Sequence, residues 1–314
     1  MIQNIEIYNY KCFKEFGLKD VSGVNLITGK NNVGKTAFME AVYLATQAKD
    51  SLSLIKGLKN ILMARRNVYD LDFLYDNESV FSVLIDGYKA LSFKINHDYP
   101  LSININDKSL RVDDLFSEYP KVFSDIELKG DVNSASNFIF SSLANGLGLE
   151  SYYASVVENY QDGRLNESLT LFDSNIKSLK MLPDKRNGVL FKVDVGDKLM
   201  LLNSFGEGVS RFITILSAIW ASKNGYLFVD EIENGIHYTK LGLLWEMVFK
   251  NARRANVQVF ATTHSKECIE AFSRCQQEDS RLLEFYYADK VKVKSRQWQQ
   301  LQYALEVEGA FRGE

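Results

Sequence analysis

The chain has 314 residues, 46% hydrophobic and 25% charged, with a formal net charge of −3. That length and balance describe a folded globular chain with a sizeable buried core, and exclude a disordered tail, a fibre and a disulfide scaffold. The charge removes the simple electrostatic case for a nucleic-acid coat, leaving room only for a local basic groove. Cys12, Cys268 and Cys275 form no C-x-x-C pair, so neither a zinc ribbon nor a redox dithiol follows, and they fit a reducing, cytoplasmic setting.

The N-terminus, MIQNIEIYNYKCF, alternates apolar and polar residues and lacks the charged start and apolar stretch of a signal peptide. The longest apolar run, Phe212 to Ala221, is about half the ~20 residues a membrane span needs, so no membrane association is expected. Val24 to Thr28 (VNLIT) reads as a buried strand and runs into Gly29-Lys30-Asn31-Asn32-Val33-Gly34-Lys35-Thr36. Phe38, Val42 and Ala45 then recur with helical spacing. Strand, glycine-rich turn and helix is the context that the G-x-x-x-x-G-K-[ST] phosphate loop requires. Glycines let backbone N–H groups close around a phosphate, and a helix N-terminus adds a positive dipole end. In that frame Lys35 reaches the β and γ phosphates and Thr36 binds Mg²⁺ through its hydroxyl.

Residues 79–112 alternate as VFSVLIDG, KALSFKIN and LSININDKSL, with turns expected at Asp86-Gly87 and from His97 to Pro100, which predicts an antiparallel meander. From Asp113 onward the text is polar and helical in places; Tyr152, Tyr153, Val156 and Val157 are expected on one side of a helix, and 113–195 reads as a helical insertion. Ser204, Gly206, Glu207 and Gly208, in Asn203 to Arg211, precede an apolar helix. Such a turn can be an anion site, but taken alone it reads as a plain cap. Tyr226 to Val229 is a buried strand ending in Asp230-Glu231, which would deliver Asp230 to Mg²⁺ and Glu231 to an attacking water. No N-K-x-D guanine reader is present. Val257 to Ser265 (VQVFATTHS) is another buried strand, with His264 at the sheet edge where ligands of open α/β sheets bind.

Three basic clusters occur: Lys56, Lys59, Arg65 and Arg66; Arg253 and Arg254; and Lys290, Lys292, Lys294 and Arg296. The last has period two, so its cations share one face of a strand, and it is the best candidate to follow a phosphate backbone. Gln297 to Leu305 is expected to form a short helix.

In this order and spacing, the four blocks resemble ATP-binding-cassette-type ATPases of the SMC, RecF and OLD branch. The opening IEIYNYKCFKEF…VNLITGKNNVGKTAFMEAVYLA is similar to the N-terminal strand pair and P-loop of that branch. DEIENGIHY followed by ATTHS is closest to small stand-alone, OLD-like ATPases, including those of bacterial defence systems. The resemblance implies that SFGEGVSR is the signature motif, touching the γ-phosphate of ATP held by a second protomer. It implies Asp230 as the Mg²⁺ carboxylate, Glu231 as catalytic base, His264 as the switch histidine, and Asn234 to His237 as a loop crossing the dimer interface. No Q-loop glutamine is assignable. The signature lacks LSGGQ, which argues against a transporter subunit, and the stretch between Thr36 and Ser204 lacks SMC-type heptads. Nothing after His264 is long enough for the nuclease domain of full-length OLD proteins.

The expectation is one α/β head over 1–314: a P-loop NTPase with a mostly parallel sheet, an antiparallel meander near the adenine and a helical insertion. Its cofactors would be ATP and Mg²⁺, its first partner a second copy, and its second an effector such as a nuclease or toxin in anti-phage defence. Two alternatives stay open: a RecF-like DNA-repair ATPase, with nucleic acid as partner, and a nucleotide-locked scaffold that hardly turns over.

Overall fold

The computed structural model describes residues 1–65, 80–96, 102–105, 108–111, 135–141, 148–184, 188–275, 277–297 and 300. The expected turn at 97–100 and Arg66 lie outside them, as does the helix expected over 297–305 except for Gln297, which is strand, and Gln300, which is helical.

The centre is a six-stranded sheet in the order β15-β14-β3-β13-β12-β8. Its parallel part comprises β3 (Val24–Gly29), β8 (Ser136–Ile139), β12 (Tyr226–Val229), β13 (Gln258–Thr262) and β14 (Ser280–Tyr287); β15 (Val291–Gln297) closes one edge antiparallel. The parallel strands are near-continuous apolar runs because both faces are covered. Phe138, Phe228, Phe260, Ile27 and Leu283 point into one core, while Ile139, Leu227, Val229, Leu26 and Leu282 point into the other. The first core is filled by helix α1 (Lys35–Gln47), helix α2 (Ser51–Ala64) and strands of a second sheet; the other by the helices α5 (Glu207–Ala221) and α6 (Leu241–Ala255). Burying alternate strand residues on both sides is the main hydrophobic gain of such a layered fold.

The second sheet is antiparallel throughout, in the order β2-β1-β4-β5-β6-β7. Strands β4 (Phe81–Ile85), β5 (Tyr88–Asn96), β6 (Ser102–Ile105) and β7 (Lys108–Arg111) form the expected meander. Asp86 and Gly87 both have positive φ, 52° and 80°, as a two-residue hairpin turn matching strand twist requires. Strands β1 (Ile5–Tyr10) and β2 (Phe13–Leu18) extend this sheet through the pairing of β1 with β4.

The stretch 113–195 departs from a purely helical insertion. It holds helices α3 (Leu149–Glu158) and α4 (Asp162–Phe172), but also β8 and the hairpin of β9 (Ser178–Asp184) and β10 (Gly188–Asp194), joined by β11 (Leu199–Leu201). Strand β8 is four residues of SNFI in polar text, and its partner β12 lies far along the chain, so no local pattern announces it. On α3, Tyr153 and Val156 are buried as expected, whereas Val157 is exposed. Helix α7 (Lys266–Cys275) follows β13 after three residues. Among the described residues, no helix is long and apolar enough to cross a membrane.

Candidate functional site: a phosphate loop facing a carboxylate pair

The C-terminal ends of β3, β12, β13 and β8 meet at one rim of the central sheet. Gly34 (φ 98°) turns the chain into α1, whose N-terminus carries no side-chain cap and no acidic residue in its first turn. Its free N–H groups are what a phosphate needs. By contrast, Asp50 caps α2, accepting from the Ser53 N–H at 2.8 Å. A side chain on Gly34 would collide with Cys12 Sγ and Phe13, since the turn between β1 and β2 lies against the loop. Lys35 folds into the cradle and donates to the carbonyls of Gly29 (2.8 Å) and Lys30 (2.9 Å). Burial lowers its pKa to about 8, against the pull of Asp230, Glu231 and Glu233, which raise it.

Asp230 sits opposite, held by three hydroxyls. Thr36 Oγ1 donates to Oδ1 at 3.1 Å, Thr262 Oγ1 to the same oxygen at 2.7 Å, and Ser141 Oγ to Oδ2 at 2.9 Å. A threonine hydroxyl and a carboxylate side by side are hard oxygen donors of the kind Mg²⁺ prefers. Among the described residues no group of three His, Cys, Asp or Glu side chains could hold a metal alone. An ion here would therefore complete its shell from water and phosphate oxygens, as Mg²⁺ in nucleotide sites does.

Glu231 occupies the left-handed region at φ 49°, where a residue with a Cβ is held at a cost of order 1–3 kcal/mol. Its N–H donates to Thr262 Oγ1 (2.9 Å) and its carbonyl accepts from Arg211 Nη2 (3.1 Å). The side chain is partly exposed at the rim. His264 is exposed two residues beyond β13, its backbone N–H donating to Glu233 Oε1 at 3.0 Å. The four positions expected to act together, Lys35, Thr36, Asp230 and Glu231, are thus brought to one rim, with His264 beside them.

The SFGEGVSR segment forms a 3-10 turn, Leu202–Phe205, and then α5 from Glu207. Ser204, Gly206 and Glu207 are exposed, and Gly208 is half-buried against the carbonyl of Gly235. His237 meets the Tyr238 ring at a tilt and accepts from the Thr239 N–H, so it ends the loop that follows the acid pair by starting a 3-10 turn. Two contributors carried no assigned role in the sequence, Ser141 and Thr262, while Arg211 entered only as the last residue of the signature segment. Ser141 follows β8, whose short run in polar text gives no local strand signal, whereas Thr262 is the first of two hydroxyls closing an apolar run.

The sheet order and the phosphate loop together give an SMC/ABC-head-like P-loop fold. Two solved structures support that architecture. One is an Smc head bound to the C-winged helix domain of ScpA, with a TM-score of 0.57 at 13% identity, covering 98% of this chain and 99% of that one. The other is an Smc head domain with an extended coiled coil bound to the C-terminal domain of ScpA, derived from Pyrococcus furiosus, with a TM-score of 0.57 at 12% identity, covering 97% and 98%. The chain belongs to the family described as "AAA domain, putative AbiEii toxin, Type IV TA system", whose profile matches residues 24–270. A curated relative from Helicobacter pylori (strain ATCC 700392 / 26695), named "ATP/GTP phosphatase", is 25% identical over 86% of this chain and 87% of its own length.

Proposed function

We propose that this protein hydrolyses nucleoside triphosphates, ATP first among them, in a dimer of heads, and that the cycle controls an effector. The observation that carries this reading is the Asp230–Glu231 pair. Asp230 is hydrogen-bonded to the P-loop Thr36, and Glu231 is displayed at the rim in a strained backbone conformation. The relative named "ATP/GTP phosphatase" supports hydrolysis and leaves GTP as an arm of the test. The family description, with its toxin and toxin–antitoxin system, supports an effector such as a toxin, in an anti-phage setting.

In this mechanism Lys35 exchanges the Gly29 and Lys30 carbonyls for β and γ phosphate oxygens, and the α1 N–H groups close around the β phosphate. Thr36 and Asp230 would hold Mg²⁺, which supplies charge neutralisation across the transferred group when bound. Glu231 orients a water on the γ-phosphorus and accepts its proton. The new P–O bond forms as the bond to the β–γ bridging oxygen breaks, releasing ADP and phosphate. His264 would hydrogen-bond the γ-phosphate, and Ser204, Gly206, Glu207 and Gly208 would reach the nucleotide of the second protomer. The chain is read as one cytoplasmic head over 1–314, closed by ATP and opened by hydrolysis.

The test is the molar mass of Glu231→Gln in solution with and without Mg-ATP, with Lys35→Ala as control, beside phosphate release from ATP and GTP by the parent. The expected result is a doubling of mass with ATP that Lys35→Ala lacks, and release well above Glu231→Gln. A parent no faster than Glu231→Gln on either nucleotide would remove the hydrolase reading and leave the nucleotide-locked scaffold.

A further inference from the structure

The helix behind the glycine motif is built into the catalytic segment of its own chain. Arg211, one turn into α5, is 2% exposed, and its Nη2 donates to the carbonyls of both Asp230 (2.7 Å) and Glu231 (3.1 Å). A guanidinium buried this deeply is costly unless its donors are used for something that matters to the fold or the site. Three residues earlier, Gly208 lies so close to Gly235 that a Cβ on it would come within 2.7 Å of the Gly235 carbonyl oxygen. The motif and the loop after the acid pair are thus in backbone contact. Finally, Arg211 Nε and Glu233 Oε2 are buried without a hydrogen-bond partner among the described residues. They are a donor and an acceptor of opposite charge at the two ends of this contact, and Glu233 Oε1 already holds the His264 N–H.

We propose that Arg211 is a positioning residue for Glu231 within one chain: it fixes the left-handed backbone of the acid to the helix that carries the glycine motif. Lysine cannot substitute, because its point-charge ammonium lacks the planar, pre-organised fork of a guanidinium. The inference rests on the reading of Glu231 as the base.

The test is a double-mutant cycle of Arg211→Lys and Glu231→Gln, followed by nucleotide affinity, single-turnover hydrolysis and thermal melting. If Arg211 acts through Glu231, Arg211→Lys slows hydrolysis by roughly 30-fold in the parent and by less than about twofold in Glu231→Gln, with nucleotide affinity unchanged. Equal losses in both backgrounds, or a loss of affinity in step with turnover, overturn the proposal. Should Arg211→Lys fail to fold, Arg211→Met fills similar volume without burying a charge and enters the same cycle. If neither variant shows a cooperative melting transition, Arg211 is a structural residue and the positioning role is withdrawn. If Glu231→Gln alone leaves hydrolysis at the parental rate, the base assignment has failed, whatever Arg211 does.

Discussion

Thr262 Oγ1 serves both members of the acid pair at once, donating to Asp230 Oδ1 at 2.7 Å while accepting from the Glu231 N–H at 2.9 Å. One hydroxyl at the end of β13 thereby holds both the carboxylate that Thr36 meets and the strained peptide of Glu231. Thr262→Val keeps the shape and removes both bonds, leaving the Glu231 N–H without its acceptor. The expected cost is about 1–3 kcal/mol of stability, and a fall in turnover of roughly 10- to 100-fold as both groups loosen. Urea unfolding and steady-state phosphate release measure the two. A variant that loses stability but turns over normally would show that Thr262 matters only to the fold.

Lys35 gives a pH dependence of known sign. In the nucleotide-free protein burial lowers its pKa from 10.5 to about 8, and a bound phosphate raises it again. Affinity for nucleotide is therefore full below about 8 and falls as pH rises through that value toward the bound-state pKa, by up to about tenfold per pH unit. Stability of the nucleotide-free fold runs the other way. The unfolded chain holds the lysine proton more tightly, so stability rises with pH across the window from about 8 to 10.5. Dissociation constants of a fluorescent ATP analogue, measured from neutral pH into this window, check the first statement. A flat profile in the parent would sink it.

The parts of this architecture that were legible in the sequence are those whose chemistry is local. The P-loop is contiguous, and Asp230-Glu231 and His264 each end an apolar run, so spacing alone placed them on one sheet rim. Strand β8 was not legible: four residues pair with β12 across a long separation, and only that partner makes them a strand. Ser141 was lost with it. The hairpin β9–β10 escaped because its buried residues are few, Leu179 and Val193 foremost, among partly exposed neighbours. Arg211 was read as the last letter of a motif, and nothing in a linear pattern reports that its guanidinium reaches carbonyls 19 and 20 residues away.

Glu40 predicts a destabilisation separable from chemistry. It is 1% exposed on α1, one turn after Thr36, and pairs with Lys11 from the turn between β1 and β2 and with Arg65 at the end of α2 (2.7 Å), while Tyr10 Oη donates to it at 3.3 Å. Burial lowers the Lys11 pKa, with the Glu40 carboxylate opposing that shift. Glu40→Ala removes the carboxylate from this cluster and should cost about 3 kcal/mol. Replacing Glu40 and Lys11 together by leucine and methionine should recover part of that loss. The denaturant midpoint of each variant decides it. A single variant as stable as the parent would mean that Glu40 contributes nothing net.

The basic strand β15 predicts weak coupling to nucleic acid. Lys292, Lys294 and Arg296 do share the strand, as the period-two spacing required, with Lys290 one residue before it, but most are already compensated. Lys290 lies 3.5 Å from Glu15, Lys292 2.6 Å from Asp289 and Arg296 3.5 Å from Glu284, while Lys294 sits over the Tyr286 ring at 5.1 Å. Three acids against four cations leave about one net positive charge to meet a phosphate backbone. The strand is also an edge of the central sheet, where lysines guard against pairing with another chain. Neutralising Lys290, Lys292, Lys294 and Arg296 together should change the salt dependence of duplex binding by a slope of no more than about 1. It should leave ATP turnover with and without duplex DNA equal to the parent's. DNA-stimulated turnover that disappears in this variant would restore the repair-ATPase reading, and would mean that the acids move away from the strand when DNA arrives.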